Sequence, residues 1–247
     1  MKHAAILDSV GRTPLVELRR CSPRQQVRLF AKLEGYNPTG SVKDRIVREM
    51  VLEARRSGRL EAGARIIEAS TGNTGIALAM VGRALGHPVR IVMPENVFPE
   101  IPRTLQAYGA EVRRIAAEQG VKQAIAIARE TAEREGWFML DQFADPNNVR
   151  AHYEGTGPEI LADLPQVDVF VAGLGTGGTL MGVGRRLKEA DPRTRVVAVE
   201  PHPGNQVQGL KSLSDGFIPP LLDYALLDAK ILVRSAQAFR AAAEVML

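Results

Sequence analysis

The chain has 247 residues, of which 45% are hydrophobic and 24% are charged, which is ordinary for a globular protein. Its net charge is only +4, and basic residues are mixed with acidic ones along the helical stretches, so the charge does not indicate a nucleic-acid-binding protein. The sequence has no apolar run long enough to cross a membrane and no signal-peptide core, so we expect no membrane insertion and a cytoplasmic location.

The first predicted helix follows a turn in NPTGSVKDR, residues 37–45. Ser41 is a favourable N-cap, and apolar residues recur at helical spacing until a stop at Gly58. Positions three, four, seven, eight and eleven after Lys43 are all apolar: Ile46, Val47, Met50, Val51 and Ala54. Lys43 therefore lies at the top of the face that should be buried, near the positive end of the helix dipole.

Two interpretations of Lys43 are open at this point. In the first, its long side chain reaches solvent and Asp44 offsets the conflict between the ammonium charge and the helix dipole. In the second, the amine is held in a cleft. There the dipole and the loss of water both disfavour its charged form and make it a nucleophile.

Short β-rich segments alternate with helical segments through the rest of the chain. Strands are predicted in 64–69, 88–95, 111–116, 137–143, 167–173 and 195–201. Helices are predicted in 73–86, 99–109, 120–136 and 179–191, and glycines at their ends are expected as C′ residues: Gly86, Gly109 and Gly136. This alternation predicts βαβ units with parallel sheets, and turn residues in 143–158 favour a domain boundary there. Ligands are expected beyond the carboxyl ends of the strands.

The segment GLGTGGT, residues 173–179, follows an apolar strand and opens a helix. Its glycines let backbone N–H groups converge, and Thr176 and Thr179 add hydroxyl groups, so the turn is suited to a phosphate. A dinucleotide-binding fingerprint, with Glu200 as the ribose-binding acid, is an alternative. However, the register is wrong, because the last apolar residue of the strand directly precedes the first glycine. A purely structural tight turn also stays open.

A second glycine-containing turn is EASTGNTG, residues 68–75, again between a strand and a helix. Short polar side chains surround its glycines: Ser70, Thr71, Asn73 and Thr74. One such residue would be enough to cap a helix. The surplus of donors at a helix N-terminus therefore suggests a site for a carboxylate or another small anion.

The sequence thus offers three features: a lysine on a buried face, a helix start suited to a phosphate and a helix start suited to a carboxylate. These are the groups needed to bind pyridoxal phosphate and an amino acid. No paired carboxylates, no Ser-His-Asp arrangement and no metal-ligand cluster compete with them. The single cysteine, Cys21, excludes an internal disulfide and a cysteine-based zinc site. The isolated histidines are interpreted as structural or surface residues: His3, His87, His152 and His202.

Four motifs follow one another along the chain: NPTGSVKDR, STGNTG, QFADPNNVRAHYEGTGPEI and VAGLGTGGTLMGVGRRLKE. With these and the opening DSVGRTPLVEL, nearly the whole chain resembles the cysteine synthases of the pyridoxal-phosphate fold type II family. These are O-acetylserine sulfhydrylases, and the likeness is closest to the branch that includes O-phosphoserine users. The resemblance implies an α/β fold like that of tryptophan synthase β, with two parallel-sheet lobes and the active site in the cleft. Residues 39–146 would form the smaller, mobile lobe, and 1–38 with 147–247 the larger, phosphate-binding lobe.

The resemblance also implies roles for individual residues. Lys43 would form the Schiff base with the cofactor and remove the α-proton of the substrate, and Asn73 would hydrogen-bond the ring oxygen of the cofactor. The substrate α-carboxylate would be held by Ser70, Thr71, Gly72, Thr74 and Gln142. The cofactor phosphate would be bound by Gly175, Thr176, Gly177, Gly178 and Thr179. The reaction implied is β-replacement, in which a leaving group departs and a sulfur nucleophile adds to give cysteine.

The stretch QVQGLKSLSDGFIP matches the active-site loop of the family. Lys211 stands where phosphoserine-preferring relatives tend to place a basic residue, and the hypothesis is that it pairs with a substrate phosphate; a solvated loop lysine is the alternative. The implied partners are an amino-acid substrate, a sulfur donor (free sulfide or a protein-borne thiocarboxylate) and a second copy of the chain. A serine acetyltransferase or a sulfur-carrier protein is a further candidate.

The family pattern continues past EVML, where this sequence stops. The further part carries a serine that meets the pyridine nitrogen of the cofactor, and no residue here takes that role. We expect the C-terminal part of the larger lobe to be missing and an apolar sheet face to be partly uncovered. Two alternatives stay open: a serine or threonine dehydratase, which uses the same residues but releases a keto acid, and a catalytically weakened relative that acts as a binding or regulatory protein.

Overall fold

The computed structural model describes residues 3–22, 24–205, 207–216 and 218–246. The chain divides into two compact units, unit 1 being Met1–Gly11 with Gly35–Asn147 and unit 2 being Arg12–Glu34 with Asn148–Leu247. Within the described ranges, no helix has both the length and the apolar character needed to cross a membrane.

Strands and helices alternate along most of the described chain. The strands are β1 (Leu15–Glu17), β2 (Phe30–Lys32), β3 (Ile66–Ala69), β4 (Val89–Pro94), β5 (Glu111–Ile115), β6 (Phe138–Met139), β7 (Val169–Gly173), β8 (Arg195–Pro201) and β9 (Ala229–Val233). The α-helices are α1 (Lys43–Arg56), α2 (Asn73–Leu85), α3 (Glu100–Ala107), α4 (Gly120–Glu135), α5 (Asn147–Ala151), α6 (Gly157–Asp163), α7 (Gly178–Ala190) and α8 (Ser235–Met246). A π-helix, His152–Thr156, joins α5 to α6. Short 3₁₀ helices lie at Ile6–Ser9, Arg19–Cys21, Glu34–Tyr36, Ala117–Gln119, Leu213–Asp215 and Tyr224–Leu226.

Unit 1 is built on a parallel sheet with the strand order β5-β4-β3-β6. The chain adds β4 and β5 on one side of β3 and then crosses to place β6 on the other side. The strand order therefore reverses between β3 and β6, and in open α/β sheets such a switch point is where ligands bind, beyond the carboxyl ends of the strands. One core of this unit packs α4 against the sheet through buried residues: Ile67, Ala69, Val92, Ile115, Ala124, Ala128 and Trp137.

Helix α1 confirms the predicted apolar stripe. Its residues are at most 1% exposed: Ile46, Val47, Met50, Val51 and Ala54. The predicted N-cap is wrong by one residue, because Val42 already has helical dihedral angles and occupies the cap position. Ser41 still supports the helix start, since its Oγ accepts the N–H of Lys43 at 3.3 Å. The helix ends just before Gly58, whose φ of +75° prevents its continuation.

Unit 2 contains the parallel sheet β7-β8-β9 and the antiparallel pair β1-β2. Helix α7 packs against β7 and β8 through buried residues: Leu174, Leu180, Met181, Val196 and Ala198. Large apolar side chains of β7 and β9 are about half exposed, at 44–53%: Val169, Val171, Ile231 and Leu232. This sheet therefore presents apolar surface to solvent in the described part of the chain, as expected from the sequence.

The predicted α/β class with parallel sheets is confirmed, and the predicted strands and helices appear with shifts of a few residues at their ends. Three features were not predicted. The pair β1-β2 consists of three-residue strands, too short for an alternating pattern to stand out, and β9 with α8 lies beyond the segments assigned. The segment 143–158, predicted to be irregular, instead contains α5, the π-helix and the start of α6.

Candidate functional site

Lys43 is the first residue of α1, and the turn before it is fixed by hydrogen bonds to a buried carboxylate. Asp44 is fully buried, and its side chain accepts the backbone N–H of Thr39 at 2.7 Å and also the hydroxyl of Thr39. Gly40, between them, has a φ of +82°, which an L side chain rarely adopts. The backbone that carries Lys43 is thus held by contacts that do not involve its own amine.

The residue Lys43 is half-buried, and burial lowers the pKa of its amine from the ordinary value near 10.5. Loss of water disfavours the ammonium form, so a larger share of the amine is uncharged at a given pH. This favours the interpretation of Lys43 as a nucleophile over that of a solvated lysine. Its role toward a cofactor stays a prediction.

The loop between β3 and α2 is shaped by Ser70. Its Oγ accepts the N–H of Gly75 at 2.9 Å and that of Gly72 at 3.3 Å, so this hydroxyl satisfies donors at the start of α2. Thr71 and Asn73 are exposed on the same loop. Of the polar residues predicted to bind a carboxylate, Ser70 therefore folds the loop, whereas Thr71 can present its side chain outward.

Thr74 and Gln142 meet at the switch point of the unit 1 sheet. The Thr74 hydroxyl donates to Gln142 Oε1 at 2.7 Å, and the two residues are only 4% and 6% exposed. Thr74 lies in the first turn of α2, after β3, and Gln142 follows β6, so parallel strand pairing brings their residues together from 68 positions apart. In addition, α1 packs against α2, so the helix that begins with Lys43 neighbours the helix that begins with Asn73.

In unit 2, the loop 175–179 has no room for a side chain at two of its glycines, Gly175 and Gly178. A Cβ at Gly175 would lie 2.8 Å from the carbonyl oxygen of Gly209, and a Cβ at Gly178 only 1.8 Å from Asn148 Oδ1. Gly177 has a φ of +89°. The loop precedes the 13-residue helix α7, so its backbone N–H groups lie at a helix N-terminus, the geometry that binds phosphate.

Two residues to which the sequence assigned no site role contact the hydroxyls of this loop. Asn148 Nδ2 donates to Thr176 Oγ1 at 3.0 Å, and the Thr179 hydroxyl lies 3.1 Å from His152 Nε2. His152, read from the sequence as structural or surface, is 1% exposed and also contacts Thr156 through Nδ1 at 2.9 Å. No local pattern signals these contacts, because each joins residues 27 or 28 positions apart.

Lys211 lies beside the same loop through its backbone. Its N–H donates to the carbonyl of Leu174 at 2.7 Å, and the residue is half-buried. Glu200, considered above as a ribose-binding acid, is fully buried instead. It accepts the N–H of Leu213 at 2.7 Å and pairs with Lys230 Nζ at 2.6 Å. Glu200 therefore holds the segment after Lys211 and is not available to a nucleotide.

The predicted site residues thus form two sets. Unit 1 carries Lys43, the loop 70–75 and Gln142, and unit 2 carries the loop 175–179 and Lys211. Among the residues that the structure describes, no cluster of His, Cys, Asp and Glu that could hold a metal ion occurs. Cys21 is half-buried with a free thiol.

Known proteins are similar to this chain in sequence and in fold. A sequence profile of the family described as "Pyridoxal-phosphate dependent enzyme" matches residues 6–246. Cysteine synthase of Aquifex aeolicus is 42% identical to this chain, over 97% of this chain and 76% of the relative. The crystal structure of O-ureido-L-serine synthase matches this chain with a TM-score of 0.93 and 40% sequence identity. The match covers 99% of this chain and 81% of that chain. The crystal structure of cysteine synthase from Entamoeba histolytica matches with a TM-score of 0.91 and 33% sequence identity. The match covers 97% of this chain and 75% of that chain.

Proposed function

This chain belongs to the family of pyridoxal-phosphate-dependent enzymes, and from that premise we propose that it is a cysteine synthase. It would replace the β-substituent of O-acetylserine or O-phosphoserine with sulfur to give L-cysteine. The observation that carries the proposal is the 42% identity to a cysteine synthase over 97% of this chain, with Lys43 at the first residue of α1 as the candidate nucleophile.

The residues of the chain fit the cofactor. We propose that Gly175, Gly177 and Gly178 bind its phosphate with backbone N–H groups, and that Thr176 and Thr179 add their hydroxyls. The position of the loop at the N-terminus of α7 supports this role, and the close approaches at Gly175 and Gly178 explain why the loop needs glycine to pack there. Asn73, exposed at the start of α2, would contact the ring oxygen. When bound, pyridoxal phosphate supplies an electron-poor ring that stabilises negative charge at the substrate α-carbon.

Lys43 Nζ would hold the cofactor, and the same amine would take the proton from the substrate α-carbon. Both tasks need a lone pair, which an ammonium group lacks. Burial supplies the uncharged amine at a lower pH than in water. The Asp44 contacts that fix the turn before α1 would keep Nζ oriented toward the α-carbon.

We propose that the loop 70–75 and Gln142 bind the substrate α-carboxylate. The start of α2 offers N–H groups and the positive end of a helix dipole, and the hydroxyl of Thr71 is exposed there. Ser70, Gly72 and Thr74 would contribute through the loop, with Gln142 held against it by the Thr74 hydroxyl. This arrangement would orient the Cα–H bond of the substrate toward the base.

We propose separately that Lys211 pairs with the phosphate of O-phosphoserine and so sets the preference for the leaving group. An ammonium group favours a phosphate over a neutral acetyl ester, so Lys211→Ala should lower turnover of O-phosphoserine relative to O-acetylserine by about fivefold to tenfold. Steady-state assays with both substrates measure the ratio. An unchanged ratio would show that Lys211 is a solvated loop residue.

The remaining partners follow the family. We propose an amino-acid substrate, with free sulfide or a thiocarboxylate on a sulfur-carrier protein as the sulfur donor. We also propose that the chain forms a homodimer and associates with a serine acetyltransferase.

Residues 39–146 are proposed as a smaller mobile lobe and 1–38 with 147–247 as the larger lobe. The location is proposed to be cytoplasmic, and light scattering and cell fractionation test the dimer and the location.

The experiment is a visible spectrum of the purified chain with pyridoxal phosphate, before and after addition of O-acetylserine or O-phosphoserine. A cofactor absorption band that shifts with substrate is expected in the wild type and in the control Lys122→Ala, an exposed lysine of α4, but not in Lys43→Ala. Added sulfide should then yield cysteine. Folded wild-type protein without a band would refute the proposal and favour a binding or regulatory role.

A second candidate, an O-ureido-L-serine synthase, rests on the 40% identity and the TM-score of 0.93 to that enzyme. It would use the same amino-acid site with an oxygen nucleophile. A reaction that contains both sulfide and hydroxyurea, with the products identified by mass spectrometry, distinguishes the two activities. Release of a keto acid without a nucleophile would identify a dehydratase instead.

A further inference from the structure

A carboxyl group is buried behind the loop that follows β3. Glu68 is 2% exposed, and β3 is buried along its whole length. A buried carboxyl is costly unless it is hydrogen-bonded. Glu68 Oε2 accepts the backbone N–H of Asp141 at 2.8 Å. Because Asp141 lies just after β6, the neighbour of β3, this bond ties together the carboxyl ends of the two strands at the switch point.

Asp141 needs this support. Its φ is +51°, an uncommon conformation for a residue with a Cβ. Its carbonyl accepts the N–H groups of Ala144 and Asp145, each at 3.0 Å, so it begins a tight turn. With Glu68 on its N–H and the turn on its carbonyl, Asp141 is held from both sides.

The residue after Asp141 is Gln142, whose Oε1 accepts the hydroxyl of Thr74 at 2.7 Å. A continuous set of contacts thus runs from Glu68 through the Asp141 backbone to Gln142 and Thr74. We propose that Glu68 is a positioning residue that sets Gln142 for the substrate carboxylate; this rests on the proposed function of the chain. Glu68, only 2% exposed, would act through these contacts and not by touching the substrate.

The charge of Glu68 matters to this role. Burial raises its pKa to about 8, and the Asp141 carboxylate adds to the rise. The backbone N–H groups of Asp141 and Ala69 and the Arg129 guanidinium on α4 act in the opposite direction. Glu68 is therefore mostly neutral at pH 7. Its ionisation would place a negative charge behind the groups that receive a carboxylate and weaken substrate binding.

The test compares Glu68→Gln, which keeps an acceptor for the Asp141 N–H, with Glu68→Met, which does not; Glu133→Gln on the exposed face of α4 is the matched control. We expect Glu68→Met to raise KM for the amino-acid substrate about tenfold with kcat changed by less than about threefold. Glu68→Gln should restore KM near pH 7. It should also abolish the rise of KM through about pH 8 that we expect in the wild type from the ionisation of Glu68.

A second readout needs neither cofactor nor substrate. In the wild type, the chemical shift of the Asp141 amide should change with pH, with a midpoint near pH 8. In Glu68→Gln the chemical shift should not change over this range. An active wild type with unchanged KM in Glu68→Met, or an Asp141 amide that does not titrate, overturns the positioning role alone. A wild type that binds no amino-acid substrate overturns the proposed function, and the role of Glu68 with it.

Discussion

The two units form the elements that are proposed to bind ligands by different means. Unit 1 uses side chains: the Ser70 hydroxyl accepts loop amides, Thr74 donates to Gln142, and Glu68 accepts the Asp141 N–H. In unit 2, Asn148 and His152 contact the loop hydroxyls, but the loop can pack only where Cβ atoms are missing, at Gly175 and Gly178. The first arrangement should be sensitive to protonation and to loss of polar atoms, and the second to added volume.

The largest effect should come from Glu68 in unit 1, read as the pH dependence of the free energy of unfolding. Its folded-state pKa, about 8, lies above the ordinary value of 4.5, so the native protein retains a proton that the unfolded chain releases. The stability from this group is full below about pH 4.5 and falls by about 1.4 kcal/mol per pH unit until about pH 8.

Urea denaturation of the wild type and Glu68→Gln between about pH 5 and pH 8 measures this slope as a difference. The comparison matters because Lys43, with its lowered pKa, contributes a slope of opposite sign to both proteins. Parallel pH profiles for the two proteins would show that Glu68 carries no proton in this range.

The next effect belongs to unit 2. Gly178→Ala would place a Cβ 1.8 Å from Asn148 Oδ1, and we expect a loss of about 1–3 kcal/mol in stability and at least tenfold weaker cofactor binding. Gly35→Ala is the control, because its Cβ would meet nothing closer than 3.9 Å. Calorimetry and fluorescence titration with pyridoxal phosphate measure both.

Adding Asn148→Ala to Gly178→Ala removes the clashing atoms. The double variant should then lose little beyond what Asn148→Ala loses alone, because the two residues are in contact. Simple additivity of the two single effects would mean that the volume at Gly178 is not what the loop depends on.

The smallest effect should come from one hydroxyl in unit 1. Thr74→Val keeps the volume but removes the donor to Gln142 Oε1, and we expect a loss of about 1 kcal/mol. Thr74→Ser keeps the hydroxyl and loses only a buried methyl group, so it should lose less stability than Thr74→Val, at most about 0.8 kcal/mol. Thermal unfolding of the two variants would contradict the side-chain description of unit 1 if both lost the same amount.

The sequence indicated those parts of the fold and the candidate site that depend on near neighbours. Spacing alone placed Lys43 on the buried face of α1, and glycine content alone marked 173–179 as a turn before a helix. It did not indicate that Asn148 reaches Thr176, or that Glu68 supports Asp141, because tertiary packing makes those contacts and no periodicity encodes them. The shift of the N-cap from Ser41 to Val42 has another cause: the exact end of a helix depends on the dihedral angles of one residue, and helix ends commonly differ from expectation by one or two residues.

The π-helix between α5 and α6 sets the rotational phase of a longer helical run. Its wide turn accommodates one more residue than an α-turn, and each residue in an α-helix advances the side chains by about 100°. Val149, before the π-helix, and His152, its first residue, pack against Gly182 of α7, and Gly157, after it, packs against Arg186 of the same helix. Deleting one residue there would turn one of these faces away from α7. A length difference at this point would thus alter the loop 175–179 without changing any of its residues.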